Sequence, residues 1–279
     1  MADGDSWWFK LARAQQHLDD LDIEVARYAN TYPYEVVRRR QPKHQKHLWT
    51  YVLRFTEPPH QKVPLLIGDA AHNMRTALDH LAVALSVKDR QRLAGFPIED
   101  KPIWATDASG AWVIDDDEAR NRYNEAVKGI SDRTKAIIEG LQPYHRPEDS
   151  RELDPLHVIR VLDNADKHRE IVATHPGLYA PVTILSDRNG DPDRRWFSRQ
   201  IALCHDGEEV GIFNFSDIDP KIWPKMEAEM DVEVCGPLHV TLEVAKKRSF
   251  IDAPVELRHC LDVLAAQVVP LLEAEVGKT

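Results

Sequence analysis

No stretch of this 279-residue chain approaches the run of about 18 apolar residues that a membrane-spanning helix needs, so no membrane span is expected. Cysteine is scarce. Cys204, Cys235 and Cys260 lie far apart, are odd in number and fit neither a metal-ligand spacing nor a disulfide framework, which points to a reducing compartment. Basic charge is also in short supply: Lys plus Arg is 36 against 46 for Asp plus Glu, a net charge of −10. Binding that lives on nonspecific phosphate contacts would therefore need a local basic patch. The start, Met1-Ala2-Asp3-Gly4-Asp5, is acidic and leads straight into an amphipathic pattern, unlike a signal peptide, so a cytoplasmic location is expected. Internal repeats and low-complexity linkers are lacking too.

What remains is an ordinary globular composition, 43% hydrophobic and 29% charged, long enough for one large domain or two small ones. Residues 6–31 read as a helix, with Trp8, Leu11, Leu18, Leu21, Val25 and Tyr28 on one apolar stripe that ends before Pro33. Trp49, Tyr51, Leu53 and Phe55 then alternate with other residues as in a half-buried strand, with Tyr34 to Arg40 as its hairpin partner. The hairpin tip is basic: Arg38, Arg39, Arg40, Lys43 and Lys46, beside His44 and His47. It reads either as a phosphate-contacting finger with aromatics at its base or as a solvated edge whose charges discourage aggregation.

From about Pro64 to Lys88 an amphipathic helix buries Leu66, Ala70, Met74, Ala77, Leu78, Leu81 and Leu85. Its other side carries Asp69, His72, Asn73, Thr76, Asp79 and His80, with Arg75 at the border. Asp69, Asn73 and His80 share one strip, and His72, Arg75 and Asp79 form a second group one step around. An irregular stretch over 89–116 precedes a helix that starts on Asp115-Asp116-Asp117-Glu118, breaks near Gly129 and resumes from Asp132 to about Leu141. A further helix, about Leu153 to Thr174, carries a second cluster: His157, Asn164 and His168 on one strip, with Asp163, Asp166, Lys167 and Arg169 around them.

Beyond Leu178 the pattern is that of strands. Asn189-Gly190 and Asp206-Gly207 are turn signals, the second expected to join Trp196–Cys204 to Val210–Phe215 as a hairpin. A closing helix from about Pro254, capped by Asp252, buries Leu257, Leu261, Leu264, Val268 and Leu271 and should kink at Pro270. The fold class is α+β: a bundle of about five or six helices, an N-terminal β-hairpin at 34–56 and an inserted antiparallel sheet of about four strands. In sequence this divides as 1–177 for the bundle and hairpin, 178–248 for the β insert and 249–279 for a helix packing back, together one structural domain.

Two polar clusters on two helices support three readings. A buried polar network can set the register of the helix pair with no chemistry at all, in a binding or interaction protein. A metal site can be assembled from Asp69, His72 and Asp79 or His80 with His157 and His168, although His72 and His80 are two turns apart and no recognised ligand spacing is present. An enzyme is the third reading. Arg75 followed after four residues by His80 resembles the Arg–x–His motif of ribonucleases of the HEPN superfamily. That resemblance covers a dozen residues and implies metal-independent cleavage of RNA, often by a homodimer.

His80 would then move the proton, Arg75 would hold the phosphate, and Asp79 between them completes the catalytic candidates. Asp69, His72, Asn73, His157, Asn164, Asp166, Lys167 and His168 are the binding candidates. A broader likeness also exists. Gly68-Asp69-Ala70-x-His72-Asn73-x-Arg75-x-Ala77-Leu78-Asp79-His80, the following Phe96-Pro97-Ile98 and the later Asp166-Lys167-His168-Arg169 resemble a bacterial and phage-associated family over about residues 60–175. That likeness implies a fold and no activity. No cofactor is expected; RNA and a second copy of the chain are the candidate partners.

Overall fold

The computed structural model describes residues 6–39, 41, 43–101, 104–106, 112–114, 117–148, 150–167, 173–179, 181–188, 195–200, 202–244 and 247–278. Helix α1 (Ser6–Ala29) buries Trp7, Leu11, Ala14, Leu18, Leu21 and Tyr28 along one stripe. Trp7, rather than Trp8, is the buried indole at its start, and both indole N–H groups donate to Glu273 Oε1. The chain turns at Pro33 into strands β1 (Tyr34–Arg39) and β2 (Leu48–Phe55), in antiparallel register from Tyr34↔Phe55 to Arg39↔Thr50. Helix α2 (Lys62–Leu85) follows and packs along α1, its buried face running from Val63 through Met74 and Leu78 to Leu85. Pro64 is accommodated in its first turn, where the amide hydrogen it lacks has no helical partner to miss.

A 3₁₀ turn (Lys88–Leu93) and a small antiparallel ribbon of β3 (Trp104–Thr106) and β4 (Trp112–Ile114) lie in the stretch expected to be irregular. Helices α3 (Asp117–Val127) and α4 (Asp132–Gly140) are separated near Gly129, and the Ser131 hydroxyl caps α4 by accepting from the Thr134 amide. Helix α5 (Pro155–Lys167) packs against α2 and is shorter than expected. By Ala173 the chain has already become strand β5 (Ala173–Tyr179), because Thr174, His175 and Pro176 pair with β11 (Leu238–Val244) in a sheet.

The expected single insert of four strands is instead several small sheets. Strands β6 (Val182–Asp187), β7 (Arg195–Arg199), β8 (Leu203–Cys204), β9 (Glu209–Asn214), β10 (Met230–Cys235), β11 and β12 (Lys247–Asp252) distribute themselves with the earlier strands. The orders are β1-β2-β9, β10-β6-β7 and β12-β11-β5-β8. The turn at Asp206-Gly207 forms, with Gly207 at φ 81°, a left-handed conformation that suits glycine. It does not close the expected hairpin, however: β8 pairs with β5, and β9 pairs with β2. Strand β2 is consequently central, and residues 49–53 are buried on both faces rather than on one. The Asn189-Gly190 turn lies outside the described residues.

A short helix α6 (Trp223–Glu229) was not anticipated. At the end, α7 (Ala253–Val263) passes through a π turn (Leu264–Val268) into α8 (Val269–Glu273). That wider turn is how Pro270 is taken in, since a π turn frees the backbone position that proline cannot serve. Asp252 does stand at the start of α7, but no amide hydrogen bond to its side chain caps the helix there; its carboxylate bonds His239 instead. The described residues thus hold eight α-helical segments, more than the five or six expected, within the α+β class.

Two apolar cores result. One is formed by α1, α2, α3, α4, α5, α7 and α8, and the other by the hairpin and the sheets around Trp49, Leu53, Phe213 and Phe215. Leu238 packs against both.

Candidate functional site

The two polar clusters do face each other, because α2 and α5 pack side by side. Gly68 on α2 faces Asp166 of α5: a Cβ there would lie 2.8 Å from Asp166 Oδ1. One turn along, Asp163 is only 2% exposed and takes His72 Nδ1 at 2.9 Å and Lys167 Nζ at 2.5 Å. A carboxylate so removed from water needs strong partners, and here it has one from each helix.

Arg75 forms the second junction. Its Nε and Nη2 donate to Asp79 at 3.3 and 3.1 Å, and Nη2 also donates to the Phe96 carbonyl at 2.6 Å. Asp79 Oδ1 in turn accepts from the Phe96 amide at 3.0 Å. One ion pair thereby holds both backbone groups of Phe96, whose ring is fully buried. The next residues are latched from the other side by Gln142, itself fully buried. Its amide nitrogen donates to the Pro97 carbonyl and its oxygen accepts from the Glu99 amide. Arg160 then binds Asp100 at 2.6 Å. The segment 95–100 is in this way fixed as a wall.

Between that wall and helices α2, α3 and α5 lies a cleft of about 380 Å³. Arg75, Arg122, Arg160 and Lys167 reach it, against Glu99 and Asp163; Tyr123 and Asn164 complete its polar lining. Burial, helped by the nearby Glu139 carboxylate, holds the Tyr123 hydroxyl well above the usual phenol range, so it stays protonated. His157, on the same helix as Arg160, is buried and its Nδ1 has no hydrogen bond among the described residues. Burial first, and the neighbouring Arg160 charge second, push its pKa below the ordinary histidine value.

The remaining candidates are placed less centrally. Asn73 donates to the backbone carbonyl of Asp69, and the Asp69 side chain is exposed. Asp166 is exposed beside Gly68. His80 is partly buried, does not line the cleft with Arg75, and its Nδ1 has no partner among the described residues. His168 lies outside the described residues. Among those described, no three His, Cys, Asp or Glu side chains are grouped as a metal ion would require.

Two cations of the cleft escaped the sequence reading. Arg160 was discoverable, since it stands four and seven residues before Asn164 and Lys167 and so shares their helix face. Arg122 had no such signal, because nothing in the local pattern tells that α3 approaches α2 and α5. Compared with known protein families, with curated proteins and with solved structures, the chain matches none of them.

Proposed function

We propose that this is a binding protein whose helical cleft receives a small phosphate-bearing ligand, with the polar face of α2 acting as scaffold. The observation that carries this reading is the convergence of Arg75, Arg122, Arg160 and Lys167 on one cleft in a chain of net charge −10. The cations are already held, by Asp79, Glu118, Asp100 and Asp163 respectively. Holding them lowers the ordering cost on binding, while the paired carboxylates temper the positive field. Arg75 keeps Nη1 without a hydrogen bond among the described residues, so its fork retains donors for a phosphate oxygen.

This reading is preferred to a ribonuclease built on Arg75 and His80 because the cleft that Arg75 lines does not include His80. Calorimetric titration with inorganic pyrophosphate at low salt tests it. Arg122→Ala and Lys167→Ala are each expected to weaken binding by about tenfold, the loss typical of one charge-assisted hydrogen bond. Unchanged affinity in both removes the proposal. Cleavage of single-stranded RNA in EDTA, abolished by His80→Ala, favours the ribonuclease instead.

A further inference from the structure

The basic hairpin lies at the edge of its sheet, and its Arg38, Arg39 and Lys46 border a cavity as well as solvent. This second cleft, of about 460 Å³, lies between the hairpin and the Pro220–Glu229 segment, lined among others by Arg38, Arg39, Lys46, Trp49, Trp223 and Glu227. Its volume is within the range of about 300–1,000 Å³ usual for small-ligand pockets. Trp49 is 4% exposed and forms the floor, with the Arg38 guanidinium carbon 4.7 Å from its ring centre. Arg38 is also paired with Glu227, and Arg39 with Glu209. Lys46, exposed, has no ion-pair partner among the described residues. Trp223 is half-buried, and its indole N–H lacks a hydrogen-bond acceptor among the described residues.

We propose that this cleft binds a nucleotide, its base packed on Trp223 and its phosphate on Lys46 and Arg39. An indole beside cations is the pairing that a planar base carrying a phosphate exploits, because every base has a π-face and the phosphate supplies the charge. A purely anionic ligand would leave Trp223 unused, and an apolar one would leave three cations facing it. Glu227 competes with the phosphate for Arg38, so the cleft carries its own brake on anion binding. The nucleotide comes either free or as one unit of a single strand. The site shares no lining residue with the helical cleft and stands or falls separately from it.

The test is titration with AMP and, separately, with a single-stranded oligouridylate, using inorganic phosphate and a tri-glutamate peptide as controls. AMP is expected to bind at least about tenfold more tightly than inorganic phosphate or the peptide, as stacking on one aromatic ring provides. Measured in the Arg122→Ala, Lys167→Ala background, which takes the cations of the helical cleft out of the titration, Lys46→Ala and Trp223→Leu are each expected to weaken AMP about tenfold. Glu227→Gln is expected to tighten AMP severalfold, while the equally exposed Glu125→Gln does not. An oligouridylate that binds much more tightly than AMP identifies a single strand as the ligand; equal affinity identifies the free nucleotide. The proposal is overturned if neither probe saturates by about 1 mM, or if Lys46→Ala, a surface change that leaves the core untouched, binds AMP as that background does. Equal binding of AMP and the tri-glutamate peptide overturns it as well.

Discussion

Asp79 shows how much of the backbone one side chain can hold in place. Its position one turn from Arg75 is a common helix-surface spacing, worth only a few tenths of a kcal/mol in isolation. Here the pair also satisfies the amide and carbonyl of buried Phe96, so it anchors the wall of the cleft. Asp79→Ala leaves that amide without an acceptor and is expected to cost about 1–3 kcal/mol of stability, read by urea unfolding. Unchanged stability with lost pyrophosphate binding would place Asp79 on the ligand instead.

His157 makes a prediction of its own. Its pKa in the folded protein lies below the ordinary 6.5. The folded state therefore stays neutral where the unfolded chain takes up a proton. Stability from this residue is full above about pH 6.5 and is lost as the pH falls from there to the folded value. His157→Gln is expected to flatten the fall in Tm between about pH 7 and pH 5; an identical slope would refute this. None of this was visible in the residue string, which showed only that His157 shares a helix face with Asn164.

At the scale of elements, helices were the most legible, because their apolar stripes repeat locally whatever they pack against. Strand pairing beyond neighbouring hairpins was not. Asp206-Gly207 makes a turn on local grounds, yet β9 joins β2, more than 150 residues earlier in the chain, as the register Trp49↔Phe213 shows. The end of α5 was overestimated for the same reason, since pairing with β11 claims the residues from Ala173 onward.

Two glycines separate the effects of space from those of propensity. At Gly68 the atom that a Cβ would crowd is the tip of the exposed Asp166 side chain, which can swing away. Gly68→Ala is therefore expected to be neutral or to stabilise by up to about 1 kcal/mol, the helix preference for alanine. At Gly211 the Cβ would meet Thr183 Cβ at 2.9 Å, and Thr183 is fully buried with its hydroxyl bonded to the Val210 carbonyl. Gly211→Ala is expected to destabilise by about 1–3 kcal/mol. Denaturation midpoints of the two variants moving in the same direction by similar amounts would contradict this contrast.

For the whole molecule, Leu238 packs against both cores, and β2 joins β1 to the distant β9 within the sheet core. The hairpin at 34–56 accordingly packs with the sheets, although it precedes α2 in sequence. A single cooperative unfolding transition follows, with tryptophan fluorescence and the helical circular-dichroism signal coinciding. Trp7 and Trp8 belong to the helical core and Trp49, Trp196 and Trp223 to the sheet core, so a fluorescence transition in two steps would show independent units.

What the sequence determined by itself was whatever depends on near neighbours. That includes the amphipathic faces of α1, α2 and α5, the β1–β2 hairpin with its basic tip, the α+β class and the presence of a polar cluster on each of α2 and α5. Only the tertiary structure decided which strands pair, that segment 95–100 stands as a wall over α2, and that Arg75 faces Phe96 rather than His80. It also decided that Arg38, Arg39 and Lys46 line one cleft with Trp49 and Trp223. The physical reason is range: helix periodicity is set over a few residues, whereas a cleft or a sheet is set by which distant surfaces bury one another.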